Sequence, residues 1–240
     1  MIPARYESSR LPGKPLADLC GKSLIQRVYE NAQHCKNIDK IIVATDDERI
    51  LNEVEKFGGK AQMTDPQLPS GTDRVATVAR NIDCDIVVNI QGDEPFLDPK
   101  VIDQAIDALI QNPEYNVSTI GKIGLTDEEI QSPNTVKVIT NKKSEAIYFS
   151  RFGIPYNRDE KNNSITNPSM KHIGLYVFRK NYLIKFIEME QSELEKLEKL
   201  EQLRIIENCE KIYIARTEKD CFGIDTPEDL TKARRCLQNE

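Results

Sequence analysis

The feature of this sequence that most constrains its fold is a repeated unit: a short β-branched apolar run, an acidic turn, and an amphipathic stretch. Residues 40–45 precede two aspartates, and apolar residues then recur at helical spacing until the glycine pair at 58–59. Residues 85–90 repeat this arrangement, and Pro99 begins the next helix. Continuous apolar runs are typical of strands buried on both faces of a parallel sheet. The sequence therefore predicts an α/β protein.

Length and charge limit the possible functions. With 240 residues the chain is long enough for one sizeable domain with an elaborated lobe. The net charge of -6 argues against a nucleic-acid-binding surface, which needs a basic face. No run of about eighteen apolar residues and no signal-peptide core is present, which predicts no membrane segment.

Cysteine usage favours a reducing compartment. The six cysteines form no C-x-x-C pair and have no neighbouring histidines to complete a zinc site. Reduced thiols and a cytoplasmic location are the predictions.

The pattern changes from about residue 117, where a smaller inserted lobe is predicted to run to about residue 180. Residues 135–140 and 146–149 read as a hairpin. The polar stretch 158–170 is typical of a mobile surface loop, and residues 172–178 return as a strand, followed by a helix near 182–189.

Two segments complete the chain. Residues 192–206 are highly charged, with leucines and an isoleucine at three-residue steps, which predicts one domain helix with a buried stripe. In the last unit Thr226 is predicted to cap a helix that begins at Pro227. The capping role of Thr226 does not explain why an aspartate, Asp225, precedes it.

The first fifteen residues have the composition of a phosphate-binding loop. Arg5, Arg10 and Lys14 provide positive charge, while Gly13 and two serines, Ser8 and Ser9, permit close approach of backbone N–H groups. Three prolines restrict the loop and reduce the entropy lost on binding. A merely solvated basic loop is the alternative, but the loop lies where an α/β sheet presents its first strand-to-helix turn.

Two aspartates are candidate metal ligands. Asp93 follows a predicted buried strand, and Asp225 is the candidate for a second carboxylate. Mg²⁺ typically binds one or two carboxylates together with phosphate oxygens, so a metal bridging these residues and a polyphosphate is predicted. Simple capping of turns is an equally good explanation for either residue alone.

Other polar residues are ambiguous by themselves. In the segment Ser70-Gly71-Thr72-Asp73-Arg74, a nucleobase contact competes with a helix cap at Thr72 or Asp73. His172 is more typical of a packed histidine than of a catalytic one, and His34 reads as a surface residue. Arg151, Glu201 and Gln202 read as solvated side chains.

Taken together, seven motifs in register resemble the 3-deoxy-manno-octulosonate cytidylyltransferase family over essentially the whole chain. The motifs are Ile2-Pro-Ala-Arg-Tyr with Ser9-Arg-Leu-Pro-Gly-Lys-Pro-Leu16, Ser70-Gly-Thr-Asp-Arg74, Val88-Asn-Ile-Gln-Gly-Asp-Glu-Pro95, Phe149-Ser-Arg151 with Ile154-Pro-Tyr156, His172-Ile-Gly-Leu-Tyr176, Leu200-Glu-Gln-Leu-Arg204 and Gly223-Ile-Asp-Thr-Pro-Glu-Asp-Leu230.

This resemblance implies a Rossmann-like nucleotidyltransferase sheet with a smaller inserted dimerisation and substrate lobe. It implies Mg²⁺-dependent transfer of CMP from CTP to an eight-carbon sugar acid, in a homodimer that serves lipopolysaccharide biosynthesis. The residues that it assigns to CTP are Ala4, Arg5, Lys14, Ser70, Gly71, Thr72, Gln91 and Asp93.

The resemblance also assigns the remaining roles. Arg10, Lys14, Asp93 and Asp225 are the implied catalytic residues, and Asp93 and Asp225 the implied metal ligands. The implied sugar-acid ligands are Gln91, Arg151, His172, Tyr176, Glu201 and Gln202. The Arg151 guanidinium is suited to pair bidentately with a carboxylate.

Alternatives remain within and outside this family. A related enzyme that activates sialic acid, an inactive nucleotide-binding scaffold and a glycosyltransferase are the other hypotheses. Family members usually carry several apolar residues before the Ile-Pro pair, whereas only Met1 precedes it here, so either the start has been assigned late or the first strand of the sheet is short.

Overall fold

The computed structural model describes residues 1–7, 11–158 and 167–238. The chain divides into two compact units, one formed by Met1–Asp103 with Cys221–Glu240 and the other by Gln104–Asp220. The predicted lobe at 117–180 falls inside the second unit, which extends beyond it at both ends. The middle of the predicted loop at 158–170 lies outside the described residues.

The first unit contains a parallel sheet with helices. Strands β1 (Ile2–Ala4), β2 (Val43–Thr45) and β3 (Ala61–Met63) pair in that order, all parallel. Strand β4 (Ile86–Asn89) lies beside the start of the chain, where Met1 N donates to Val88 O at 2.6 Å. The three residues of β1 are all buried.

The helices of the first unit follow its strands as the apolar pattern predicts. Ile42, Ala44 and Val78 pack together in its core, with Met1 and Ile82 against them. The helices are α1 (Leu24–Ala32), α2 (Glu48–Lys56), α3 (Gly71–Arg80), α4 (Pro99–Gln111), which continues into the second unit, and α9 (Pro227–Gln238) at the end of the chain.

The second unit contains a mixed sheet in the order β7-β6-β8-β5-β9. Strand β5 pairs antiparallel with β8 and parallel with β9. The strands are β5 (Val117–Lys122), β6 (Lys137–Thr140), β7 (Ala146–Ser150), β8 (Met170–Arg179) and β9 (Ile212–Thr217). The helices are α5 (Asp127–Gln131), α6 (Lys180–Ile187), α7 (Glu193–Glu198) and α8 (Leu203–Glu207).

The predicted hairpin, returning strand and helix cap are confirmed. Strands β6 and β7 form the predicted antiparallel hairpin, and β8 covers the predicted returning strand. Thr226 caps α9, because its hydroxyl accepts from Asp229 N at 3.2 Å. All six cysteines are free thiols. Among the described residues, no helix has both the length and the apolar character that crossing a membrane requires.

The prediction of one helix over residues 192–206 is wrong. The chain forms two short helices instead, and Lys199 between them adopts the left-handed conformation, with φ 54° and ψ 47°. The turn lets Arg204 pair with Glu195 in a bidentate ion pair of 2.6 and 2.8 Å, with both side chains 7% exposed. Leu197 consequently points to solvent and is 79% exposed, although a continuous stripe would have buried it.

A prediction on stability follows from Glu145 in the second unit. Its carboxylate accepts hydrogen bonds from Lys211, Asn141 and the Tyr115 hydroxyl at 2.8, 2.6 and 3.0 Å. These bonds lower the pKa of Glu145 from 4.5 to about 2. A carboxyl with a depressed folded-state pKa stabilises the protein above its unfolded pKa, and this stabilisation is lost as pH falls through 4.5 toward 2.

We therefore expect Glu145→Gln to lower the urea midpoint at pH 7, and the difference from wild type to shrink below about pH 4.5. Urea unfolding at a series of pH values measures this. Glu128→Gln changes an exposed glutamate of the same unit and is the control. A difference that stays constant with pH would contradict the assignment.

Candidate active site

A cavity of about 470 Å³ opens in the first unit. Parts of the chain that are far apart in sequence line it, from the end of β1 to the segment before α9. Most of the residues predicted to hold CTP or metal belong to the lining: Ala4, Arg5, Lys14, Ser70, Gly71, Gln91, Asp93 and Asp225.

The basic loop after β1 folds back on itself. Gly13 has φ +68°, a conformation that glycine adopts without steric penalty, and its N–H donates to Tyr6 O at 3.0 Å. A short 3-10 helix, Lys14–Leu16, begins directly after it. Arg5 Nη2 donates to Leu68 O at 2.6 Å, which anchors this cation beside the cavity. Arg10, with Ser8 and Ser9, lies outside the described residues, so its catalytic role stays a prediction.

Lys14 joins the two predicted metal ligands. Its Nζ lies 2.5 Å from Asp93 Oδ2 and 3.0 Å from Asp225 Oδ1, so one cation contacts both carboxylates. A hydrogen bond from Ile224 N to Asp93 O (2.8 Å) brings the two segments together. Burial disfavours the charged ammonium, but the charge of Asp93 and the hydrogen bonds to both aspartates outweigh it and raise the pKa of Lys14.

The segment after β4 approaches the end of β1 very closely. A Cβ added to Gly92 would lie 2.7 Å from Pro3 O, which is closer than real Cβ atoms come to backbone. Only glycine therefore fits at this position without moving the chain. The contact places Gln91 and Asp93, the neighbours of Gly92, beside strand β1.

Ser70, rather than Thr72 or Asp73, caps helix α3, which corrects the cap prediction. The Ser70 hydroxyl accepts from Asp73 N at 3.1 Å and donates to Asp73 Oδ2 at 2.5 Å. Thr72 does not line the cavity: it is 2% exposed, and its hydroxyl accepts from Asn89 Nδ2 at 3.1 Å. Arg74 is fully buried and donates to Asp46 at 2.7 Å and to Thr64, which ties the start of α3 to the neighbouring loops.

The donor set of Asp93 and Asp225 fits Mg²⁺ only together with a ligand. Both carboxylates already share one cation, the Lys14 ammonium, so they lie close enough to share another. Within the described ranges no cluster of three or more acidic, histidine or cysteine residues could hold a metal. Two carboxylates are nevertheless the usual protein share of a Mg²⁺ site completed by phosphate oxygens and water.

The second unit carries the predicted sugar-acid ligands other than Gln91. Arg151 follows β7, His172 and Tyr176 lie on β8, and Glu201 and Gln202 lie between α7 and α8. Gln202 is 3% exposed, and its Nε2 donates no hydrogen bond to any described residue. A buried amide without a partner is costly, and a ligand oxygen would satisfy it.

His172 is a neutral histidine whose Nδ1 can accept a hydrogen bond. Burial lowers the pKa of His172 from 6.5 to about 3. The centroid of its ring lies 5.0 Å from that of Phe149 and 5.4 Å from that of Tyr176. Its Nε2 lies 3.0 Å from Thr119 Oγ1, and that hydroxyl makes a shorter bond, 2.5 Å, to Leu175 O. Since Thr119 has one hydroxyl proton, which is assigned to Leu175 O, Nε2 is the donor of the pair. The remaining nitrogen, Nδ1, is then an acceptor.

Sequence reasoning missed other residues at these sites. Glu7, Pro69 and Gly92 also line the cavity. In the second unit, Glu198 accepts from Arg151 N at 2.9 Å. Glu7 was detectable as the only acid in a cationic loop, but nothing in the sequence pattern separates Glu198 from the other glutamates of its segment.

A nucleotide-sized cavity at the end of a parallel sheet, with a basic loop and paired carboxylates, defines a nucleotidyltransferase. The sequence model of the family described as Cytidylyltransferase matches residues 1–212. A 3-deoxy-manno-octulosonate cytidylyltransferase from Trichlorobacter lovleyi is 45% identical over 99% of this chain and 97% of its own length. One from Thermodesulfovibrio yellowstonii is 47% identical over 99% and 96%. The chain belongs to the 3-deoxy-manno-octulosonate cytidylyltransferase family.

A solved structure agrees with this assignment. The structure of CMP:2-keto-3-deoxy-manno-octonic acid synthetase complexed with CTP is 39% identical to this chain and has a TM-score of 0.93. The match covers 99% of this chain and 97% of that one. The predicted α/β nucleotidyltransferase fold is confirmed.

Proposed function

We propose that this protein transfers the cytidylyl group of CTP to 3-deoxy-manno-octulosonate and releases pyrophosphate. The observation that carries the proposal is the contact of Lys14 with both Asp93 and Asp225 in the cavity of the first unit, in a chain of this family. The product would serve lipopolysaccharide synthesis. We place the reaction in the cytoplasm, where the CTP pool is.

The chemistry is an in-line displacement. The anomeric hydroxyl oxygen forms a bond to the α-phosphorus of CTP, the bond to the β-phosphate oxygen breaks, and pyrophosphate leaves with that electron pair. The hydroxyl proton passes to solvent. Such transfers depend mainly on positioning and on charge stabilisation, so no protein nucleophile is needed.

The residues of the first unit would supply the positioning. Ala4, Arg5, Ser70, Gly71 and Gln91 contact the nucleotide in this proposal. Lys14 donates to the phosphate oxygens, which carry more negative charge as the bond to pyrophosphate breaks.

We further propose that Asp93 and Asp225 hold Mg²⁺ when the nucleotide is bound. When present, Mg²⁺ neutralises phosphate charge and makes a coordinated hydroxyl more acidic. The two carboxylates would hold this ion, and the Lys14 ammonium would exchange its contacts with them for contacts with phosphate oxygens.

The residues of the second unit would bind the sugar acid. Arg151 pairs with the carboxylate of the substrate, because its planar fork suits carboxylates. Tyr176, Glu201 and Gln202 contact hydroxyl groups, and His172 accepts from one of them.

The direct test is release of pyrophosphate from CTP and Mg²⁺ with either 3-deoxy-manno-octulosonate or sialic acid as acceptor. We expect release with the first acid and at most a trace with the second. Asp93→Asn is the inactive control for contaminating enzymes. Turnover of sialic acid alone would indicate the related enzyme, and no turnover with either acid would indicate a scaffold.

We expect Arg151→Ala to raise the KM for the sugar acid by roughly 30-fold or more, with the KM for CTP within about twofold, because the lost charged pair contacts one substrate only. Initial rates with each substrate varied in turn measure this. Arg158→Ala, an exposed arginine seven residues further on, is the control. A selective loss of CTP affinity would show that Arg151 serves the nucleotide.

We also propose that the protein is a homodimer. Large apolar side chains of the second unit are exposed on β7, on the segment after it and on α7: Ile147, Phe152, Tyr156 and Leu197. Phe152 and Tyr156, four residues apart on the segment after β7, are 79% and 81% exposed, and large exposed apolar side chains of this kind are typical of an interface.

Phe152→Ser combined with Tyr156→Ser is expected to shift the sedimenting species from dimer to monomer mass. Ile110→Ser, which changes another exposed apolar residue (54% exposed), should leave the dimer intact. A monomeric wild-type protein would contradict the proposal.

A further inference from the structure

The Arg151 side chain is anchored on two sides. Its Nε donates to Glu198 O at 2.8 Å, and its Nη1 donates to Pro133 O at 3.1 Å. Across the described part of the chain, Nη2 has no hydrogen-bond acceptor. The guanidinium is therefore fixed by backbone carbonyls, and at least one of its nitrogens remains for a ligand.

Glu198 also holds the backbone of the same arginine. Its Oε2 accepts from Arg151 N at 2.9 Å, and its Oε1 accepts from Ser150 Oγ at 2.7 Å. Together with the carbonyl contact to Nε, Glu198 binds Arg151 at both the main chain and the side chain. Contacts at both ends restrict the rotamers of a long side chain far more than one contact does.

Lys137 holds the loop that carries Pro133, whose carbonyl accepts from Arg151 Nη1. It is fully buried, and its Nζ donates to Ser132 O at 2.9 Å, to Thr135 O at 2.7 Å and to Arg151 O. Burial lowers the pKa of Lys137, while the nearby carboxylate of Glu198 favours the charged form. Lys137 thus ties the loop that carries Pro133 to the main chain of Arg151.

We propose that Glu198 and Lys137 are positioning residues for recognition of the sugar-acid carboxylate, acting through Arg151. The inference rests on the proposed function, in which Arg151 pairs with that carboxylate. A guanidinium that is already oriented loses little freedom when the substrate binds, so removing its supports weakens binding of that substrate alone.

The first test is Glu198→Gln. Glutamine has the size of glutamate but no charge, and its amide nitrogen cannot accept hydrogen bonds, so the Arg151 N–H and the Ser150 hydroxyl can no longer both donate charge-assisted hydrogen bonds to this side chain. We expect the KM for the sugar acid to rise about 10-fold, with kcat and the KM for CTP within about twofold. Glu193→Gln is the matched control, because Glu193 lies on the same helix but is exposed and pairs with Lys196.

A double variant separates positioning from general stability. In the Arg151→Ala background, Glu198→Gln should raise the KM for the sugar acid no further, because the residue that it positions is gone. Lys137→Met should show the same selective rise as Glu198→Gln together with a lower melting temperature. If Lys137→Met fails to fold, Glu198→Gln still decides the question.

The outcomes distinguish the inference from the proposed function. If Arg151→Ala raises the KM for the sugar acid and Glu198→Gln leaves it unchanged, the positioning role is wrong and the function stands. If Glu198→Gln adds its full effect to Arg151→Ala, or raises both KM values equally, the positioning role is also wrong. If Arg151→Ala itself has no effect, both the role of Arg151 and this inference fail.

Discussion

Asp225→Asn is expected to reduce turnover by roughly 100-fold or more, with the affinity for CTP in the absence of divalent metal within about threefold of wild type. The Asp225 carboxylate lies 3.0 Å from Lys14 Nζ, at the position where a cation contacts both aspartates. Asparagine keeps the size of the side chain but removes the charge that would hold Mg²⁺ beside the phosphates. Removing a negative charge does not weaken binding of a triphosphate, so the loss should be confined to catalysis.

Single-turnover rates with saturating CTP and Mg²⁺ measure the turnover, and calorimetric titration with CTP in the absence of metal measures the affinity for CTP. Glu228→Gln removes an exposed acid three residues away and should change neither. Equal turnover in wild type and Asp225→Asn would remove Asp225 from the mechanism.

Lys14→Met is expected to lower kcat/KM for CTP by roughly 100- to 1,000-fold. Methionine keeps an unbranched side chain of similar length but supplies no charge to the phosphates. The same change removes the Lys14 ammonium group, whose Nζ contacts the carboxylates of Asp93 and Asp225 at 2.5 and 3.0 Å. Without CTP, the variant should therefore bind a divalent metal more tightly than wild type, although it is less active.

Steady-state kinetics test the expected loss of kcat/KM for CTP. Titration of Mn²⁺ into nucleotide-free protein tests the expected gain in metal affinity. Lys22→Met is the control, since Lys22 is 43% exposed and pairs with Glu30. If the variant retains half of the wild-type kcat/KM, Lys14 does not contact the phosphates during the reaction. If Mn²⁺ affinity is unchanged, the ammonium does not compete with metal for these carboxylates.

Much of the fold was predictable because its signals are local. The apolar run that becomes β4 and the proline that begins α4 identify their elements without knowledge of the rest of the chain. The hairpin of β6 and β7 is recognisable from two alternating runs and a polar turn. Secondary structure of this kind depends on neighbours in sequence, which the sequence displays.

The break at Lys199 was not predictable in this way. The segment contains neither glycine nor proline there, and its leucine spacing favours one continuous helix. The turn is stabilised by distant groups instead: Arg204 pairs with Glu195, and the last residue of α7, Glu198, binds Arg151. Tertiary contacts of this kind override local helix preference.

The candidate site shows the same division. Asp93 and the basic loop are recognisable because their residue types are unusual for their positions. The contact of Asp225 with Lys14 joins residues 211 positions apart, and although Asp225 was a candidate carboxylate, no local pattern indicated its direct contact with this lysine. Glu198 remained invisible, because its effect on Arg151 requires a specific turn and not a specific composition.

The first unit is assembled from the two ends of the chain, residues Met1–Asp103 and Cys221–Glu240. During synthesis on the ribosome, the basic loop and Asp93 emerge long before Asp225, the aspartate that completes the pair. A nascent chain therefore has an incomplete candidate site until residue 225 has been made. A polypeptide that terminates between residues 93 and 225 would contain Asp93 and lack the second carboxylate.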